Sequence, residues 1–260
     1  MEFRLAQPQD VKGIVDLARI SFDAKLLDKI IYGCSGFDKY LSLVLANNFR
    51  GRDIYFLIAA EETKIISFYE FRLLSQTYYI NYMATDRNFR SRGIGMRMLL
   101  IGMNYTTEYH TQTACDIFTE NVKGVKFYEG IGFKRKGATY WMVLPLIAPS
   151  QERWFMIQDI PQSVALNNLF GFSTFRVTTE QNTYIVGLFE NRYFRINNYD
   201  GLKDPSLLSA LMSLDSNRKM LLLSSIENIP FPHRLVYTSF KYEQELDIVK
   251  RRLTDAVNQL

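Results

Sequence analysis

Apolar positions change period several times along the first half of the chain, and each change marks an element. In "MEFRLAQPQDVKGIVDLARISF" a short alternating run meets a turn at Gln7–Asp10. Val11, Ile14, Val15, Leu17 and Ala18 then fall mainly on one helical face. The pattern predicts a strand and an amphipathic helix, with Asp10 placed to cap it. A second helix is expected over Gly36–Asn47. Three strand-like runs follow, Ile54–Ala60, Ile65–Leu74 and Tyr78–Ala84, separated by "EETK" and "SQT", which are of hairpin length. They predict an antiparallel meander.

"RNFRSRGIGMRML" (Arg87–Leu99) breaks this pattern and reads as a loop opening a helix, expected to run about fifteen residues from Gly93 through Tyr109. Ile94, Met96, Met98, Leu99, Leu100, Ile101 and Met103 make it apolar nearly all round, so it should lie buried against a sheet. Thr113–Glu120 reads as a strand, and "NVKGVKFYEGIGF" as a short helix stopped by Gly130 and Gly132. "KRKGATYWMVLPL" reads as a last strand broken by Pro145. The expected class is α/β (α+β), a mixed, largely antiparallel sheet flanked by helices.

"PLIAPSQER" reads as a linker, dividing the chain into 1–147 and 148–260. Beyond it, "STFRVTTEQNTYIVGLFENRYFRINNYD" supplies three strand candidates, "PSLLSALMSLDSNR" a helix and "KMLLLSS" a strand. "RLVYTSFKYEQEL" leads from a strand into a terminal helix. The order strand, strand, helix, strand, strand echoes Tyr78–Leu146. It predicts a second, smaller α/β domain of similar type, a degenerate copy of the first.

Composition narrows the function classes. The 260 residues are 47% hydrophobic and 14% aromatic, enough to build these cores and unlike a disordered chain. The opening residues lack the apolar region of a signal peptide. No apolar run approaches the ~18 residues of a membrane span. Cys34 and Cys115 form no CxxC, and His110 and His233 are too few and too separated for a metal site or a triad. A cytoplasmic protein without metal, membrane partner or disulfide framework is expected. Residues 1–150 hold 19 basic and 15 acidic side chains, while residues 151–260 hold 12 of each, so the whole net charge of +4 sits in the first part. So small an excess suits a phosphorylated ligand and falls short of the basic stripe of a nucleic-acid binder.

A helix N-terminus with bare backbone N–H groups is an anion site, so the loop before the apolar helix is the candidate. The dinucleotide fingerprint fails, because Met98 stands where its third glycine belongs and the preceding strands are a meander. The P-loop fails for want of Gly-Lys-Ser/Thr. Arg90-Ser91-Arg92-Gly93-Ile94-Gly95 instead has the form Arg/Gln-x-x-Gly-x-Gly/Ala. Some thirty residues on, Asn121 stands seven residues before Tyr128, with Gly132-Phe133 after it. Together these signatures resemble the GNAT superfamily of N-acyltransferases, over roughly residues 2–146.

The resemblance implies acetyl-CoA as acyl donor, with its pyrophosphate over Arg90, Ser91, Arg92, Gly93, Ile94 and Gly95. Backbone groups of Met83, Ala84 and Thr85 would pair with the pantetheine arm as an added strand, and Asn121 would bond the same arm. The thioester would lie where this strand splays from the next, around Cys115–Thr119. Tyr128 would protonate the leaving thiolate, and the acceptor would be the primary amine of a small molecule. Many family members carry a Glu near the position of Asn81 or Tyr82, whereas "YYINYMATD" has no carboxylate before Asp86. Asp86, Glu120, a water chain or a backbone carbonyl remain open as the base.

The second half has "NNYDGLKDPSLL" where the motif would fall, with Asp200 and Asp204 in place of the phosphate-binding glycines. It is expected to bind no CoA and either to complete the acceptor cleft or to supply a dimer surface, a homodimer being the default for such domains. Two further readings stand beside the first. One is transfer of a longer acyl chain, or transfer to a peptide or protein amine. The other is a non-catalytic CoA-binding or regulatory protein of the same fold, which the missing strand carboxylate favours and the Asn121–Tyr128 pair opposes.

Overall fold

The structure is a computed structural model that describes residues 1–46, 54–149 and 154–259. In chain order the first elements are β1 (Glu2–Leu5), α1 (Val11–Ser21), α2 (Ala24–Leu27), α3 (Phe37–Ala46), β2 (Ile54–Glu61), β3 (Lys64–Leu74) and β4 (Thr77–Thr85). Next come α4 (Ile94–Gly102), β5 (Gln112–Phe118), α5 (Val122–Gly130), β6 (Lys134–Leu144), β7 (Phe155–Gln158), α6 (Ile160–Phe170) and β8 (Phe172–Thr179). The chain ends through β9 (Thr183–Phe189), β10 (Tyr193–Ile196), α7 (Pro205–Leu214), β11 (Lys219–Ser224), β12 (Arg234–Glu245) and α8 (Leu246–Asn258).

The meander forms as its alternation predicts, with β2, β3 and β4 antiparallel and β1 added to the edge. The second helix is described over Phe37–Ala46, and Asn47 lies outside the described residues, as do residues 150–153 of the expected linker. Other details differ from the sequence reading. Asp10 does not cap α1 through its side chain. Its carboxylate accepts from the Gln7 backbone at 2.7 Å and from Arg4 at 2.6 Å, so it closes the preceding turn onto β1. The helix after the motif stops at Gly102, tightens into a 3-10 turn over Met103–Tyr105 and ends where Thr106 becomes extended, well short of Tyr109. β5 ends at Phe118, leaving Glu120 in the turn beyond it. β7 and α6 were not legible beside the linker composition around them.

The chain divides into two compact units that do not follow a single cut near residue 147. The first contains Met1–Asp23, Leu41–Gly137 and Phe240–Leu260, and the second contains Ala24–Tyr40 and Ala138–Ser239. The first unit's sheet runs β1-β2-β3-β4-β5-β12, where β12 contributes Phe240–Glu245. α1 lies against β3 and β4, while α4 packs against β2–β4 and against α8. α8 offers Leu246, Val249 and Leu253 at helical spacing to the same core as Leu57, Tyr69, Tyr78, Met98 and Leu99.

The second unit's sheet continues from β6 through β11, β10, β9 and β8 to β7. β7, α6, β8, β9, β10, α7 and β11 repeat in order β1, α1, β2, β3, β4, α4 and β5. β10 also pairs parallel with β11 across α7, as β4 does with β5 across α4. The segment Ala24–Tyr40 is held here by long-range contacts. Asp28 bonds Arg192 and the Tyr193 hydroxyl, and the Ser35 backbone donates to Glu190 at 2.6 Å. Residues 140–144 of β6 pair antiparallel with β11, so the last strand of the first half completes the second unit's sheet.

Candidate active site

The loop between β4 and α4 is built by its own side chains. Asp86 accepts from the Asn88 backbone at 2.9 Å and from Lys64 at 2.7 Å, which holds its carboxyl below the usual range. Arg90 donates from Nε to the Thr85 carbonyl at 2.9 Å. Arg92 donates to the Asn88 carbonyl at 3.1 Å and lies over the Phe89 ring. Both guanidinium groups thus pin the loop while remaining exposed. Ser91 and Gly93 take left-handed backbone angles, φ +63° and +72°. Gly93 at the N-cap supplies no side chain, so no side-chain cap covers the first-turn N–H groups of α4, which a helix leaves without internal partners. At Gly95 a Cβ would come within 3.3 Å of the Met83 sulfur, a tight contact that glycine avoids where the helix start passes β4.

β4 and β5 open beside this helix end. Their parallel pairing runs from Thr77↔Gln112 to Ile80↔Cys115 and stops there. Met83, Ala84 and Thr85 stay paired with Tyr69, Phe68 and Ser67 of β3, and their other edge has no β5 partner. A register shift between Glu70 and Phe71 leaves Asn81 as the extra residue on β4 just past the parting point. The opened edge is the feature a peptide-like ligand arm can occupy as a strand.

On the core-facing side of the opening lies Tyr128. Its ring is edge-on to Phe127 and Phe133, with centroids 5.1 and 5.4 Å away. Burial pushes its phenol well above the ordinary value, and the neighbouring Cys115 and Tyr78 push it the same way. The phenol is therefore protonated at neutral pH. Beside it, the Tyr69 hydroxyl donates to that of Tyr78 at 2.7 Å. Burial raises the Cys115 thiol, which stays protonated as well. Asn121 accepts from the Gly124 backbone through Oδ1 at 3.0 Å and caps α5, so Nδ2 is the atom it has left to donate.

The opposite face carries two carboxyl groups that the sequence reading passed over. Glu70 is 1% exposed, and its Oε1 accepts from Asn81 at 2.6 Å and from Arg72 at 2.9 Å, clamping the bulge. Asp116 follows Cys115 and is solvent-accessible, and it accepts a hydrogen bond from the Tyr79 hydroxyl. A single carboxylate in the apolar strand "TACDIF" was the available signal. Among the base candidates from sequence, Asp86 is occupied in capping and pairing, and Glu120 is exposed beyond the strand end. Cys34 is 2% exposed, and burial raises its thiol to about 12, so it is no nucleophile.

The corresponding helix of the second unit starts differently. Asp204 is fully buried, accepts from the Ser206 backbone at 2.9 Å and from the Thr179 hydroxyl at 2.7 Å, and so caps α7 with its own anion. Burial and Asp204 together push the nearby Tyr184 phenol up to about 12. Asp204→Ala removes the cap and leaves the Thr179 hydroxyl only its bonds to the turn at Gln181 and Asn182, and is expected to destabilise the second unit by about 1–2 kcal/mol. Both tryptophans, Trp141 and Trp154, lie in this unit, so fluorescence-monitored urea unfolding of the full chain reads the change.

No group of three His, Cys, Asp or Glu side chains among the described residues is placed to hold a metal ion, and no described helix is long and apolar enough to cross a membrane. A meander, a parallel pair that opens, and a helix start with a glycine N-cap and no side-chain cap beside the opening define the α/β fold of the first unit. Residues 52–135 match the model of the acetyltransferase (GNAT) domain, and a second GNAT-like half follows the half that contains them. Solved structures with the same fold along nearly the whole chain agree. A tandem GNAT protein from the clavulanic acid biosynthesis pathway, solved without acetyl-CoA, is 11% identical, covers 94% of this chain and 98% of its own, and has a TM-score of 0.65. A GCN5-related N-acetyltransferase from Sphaerobacter thermophilus is 10% identical over 94% of this chain and 95% of its own, with a TM-score of 0.61. A putative acetyltransferase from Pyrococcus horikoshii is 13% identical over 95% and 90%, with a TM-score of 0.60. No curated protein sequence matches the chain.

Proposed function

We propose that the protein is an acetyl-CoA-dependent N-acetyltransferase that transfers the acetyl group directly to the primary amine of a small molecule. The family supports acyl transfer in general. The observation that carries the finer reading is the pairing of the α4 start, free of any side-chain cap, with the opening after Ile80 and Cys115. In this reading the N–H groups at Ile94 and Gly95 and the helix dipole bind the pyrophosphate. Arg90, Ser91, Arg92 and Gly93 form the loop that receives it. Met83, Ala84 and Thr85 hold the pantetheine arm along the free edge of β4, with Asn121 donating through Nδ2. Tyr128 stays protonated at neutral pH and gives its proton to the departing sulfur.

Acetyl-CoA supplies the activated acyl group when bound, and the chain's residues orient it and move the protons around it. Glu70, Asn81 and Arg72 hold the bulged strand in shape. The second half binds no CoA, because Asp204 already fills the helix start where a phosphate would sit.

Calorimetric titration of acetyl-CoA into the full chain tests the reading. Saturable one-site binding, one equivalent per chain, is the expected result. A second equivalent would overturn the assignment of the second half, and absence of binding would overturn the acyl-CoA reading itself.

A further inference from the structure

We infer that Asp116 takes the proton from the acceptor amine, with the Tyr79 phenol as its positioning residue. This rests on the acyl-CoA reading above and supplies the half of the chemistry that β4, having no carboxylate at Asn81 or Tyr82, leaves unassigned.

Position is the first ground. β5 turns alternate side chains to opposite faces, so Asp116 points away from the side on which Cys115 meets Tyr128. Base and acid therefore flank the opening from opposite faces. A nitrogen arriving on one face loses its proton there while the sulfur receives one on the other. Asp116 also comes directly after the last parallel pair, Ile80↔Cys115, where the strands part.

Access is the second ground. Asp116 is reached by solvent, whereas Glu70 on the same face is 1% exposed and engaged by Arg72 and Asn81. The groups facing Asp116 are Tyr79 on β4, whose own surroundings include Tyr82, and Lys241 and Glu243 on β12, which pair with each other at 2.7 Å. Burial raises the Asp116 carboxyl above the ordinary range and Glu243 adds to this, while the Tyr79 hydrogen bond and Lys241 lower it. A carboxylate raised above the ordinary range is a better match to an ammonium than an ordinary one.

The protons balance with residues on the page. Asp116 accepts one proton of the ammonium and releases it to water. The freed nitrogen lone pair forms the N–C bond as the C–S bond breaks, and Tyr128 gives its proton to the sulfur. The second proton of the nitrogen leaves through water and restores the phenol, so one proton is released per turnover.

Two probe amines separate this role from a structural one. n-Propylamine is an ammonium at neutral pH and needs a base, whereas hydroxylamine is already neutral and does not. Asp116→Asn keeps an oxygen for the Tyr79 hydroxyl to donate to. It is expected to bind acetyl-CoA as the wild type does, and to lose about 10²-fold in kcat/KM toward n-propylamine while keeping most of its rate toward hydroxylamine. In the wild type, kcat/KM for n-propylamine rises with pH as Asp116 ionises. Tyr79→Phe removes a bond that lowers the carboxyl, so this limb moves to higher pH, and Asp116→Asn abolishes it. A carboxyl NMR titration of aspartate-labelled protein, read without turnover, should give the same midpoint and the same Tyr79→Phe shift. Equal losses toward both amines, or a resonance that titrates apart from the rate limb, overturn the proposal. Acetyl-CoA binding with no turnover of either amine overturns the Asp116 role and leaves the acyl-CoA reading standing. Failure to bind acetyl-CoA removes both.

Discussion

Tyr128→Phe is expected to lower kcat for acetyl transfer by about 10³-fold, the middle of the range one proton donor contributes, while acetyl-CoA affinity is unchanged. The substitution removes one oxygen and leaves the ring between Phe127 and Phe133, so packing survives. Burial holds the phenol far above its ordinary value, which keeps the proton in place at neutral pH. The loss should depend on the leaving group. A thioester whose thiol is more acidic than that of CoA departs without help, and the variant should regain much of its rate with such a donor. Release of free thiol against n-propylamine and hydroxylamine gives the rates, and calorimetry gives the affinity. A variant that loses affinity in proportion to rate would show Tyr128 to be a packing residue.

Gly93→Asp is expected to weaken acetyl-CoA binding by about 10²-fold or more while the thermal midpoint stays near the wild-type value. Aspartate is among the few residues that tolerate the left-handed angle, φ +72° here, and it sets a carboxylate beside the N–H groups that the glycine leaves without a side-chain partner. Asp159, the left-handed N-cap of α6, shows that the angle accepts an aspartate without a side-chain cap bond. Helix α4 keeps its start, and the anion is opposed by a charge already at its place. Gly93→Asn supplies a side chain of the same size without the charge and should lose less affinity. Calorimetric titration at two salt concentrations separates the terms, because the charge penalty is screened and the steric one is not. Arg90→Glu is a less clean probe. Arg90 also ties the loop to the Thr85 carbonyl, so its removal would change the fold of the loop together with its charge.

The meander was legible because its three strands are local. Each announces itself by apolar runs and short polar breaks, and pairing neighbours in sequence needs no long-range information. The motif was legible for a similar reason. A glycine N-cap, a close approach at Gly95 and an apolar helix lie within a dozen residues. The proposed base was not legible. β4 itself carries no carboxylate, and those on that face, Glu70 and Asp116, come from the strands on either side of it. Their relation to the opening depends on the register of β3 and β5 against β4, which no local pattern states.

The sequence alone determined the class of most elements, the glycine-bearing loop that opens the apolar helix and the repeated order of strands and helices in the second half. All of these follow from propensity, period and charge within short windows. Tertiary structure decided which sheet each last strand joins. Residues 140–144 belong to the first half in sequence yet pair with β11, while Phe240–Glu245 and α8 return from the far end of the chain to complete the first unit. The division expected at residue 147 rested on linker composition, and composition carries no record of strand partners. An apolar strand fits any free sheet edge of matching register, and only the packing of whole cores, α8 beneath α4 among them, selects one.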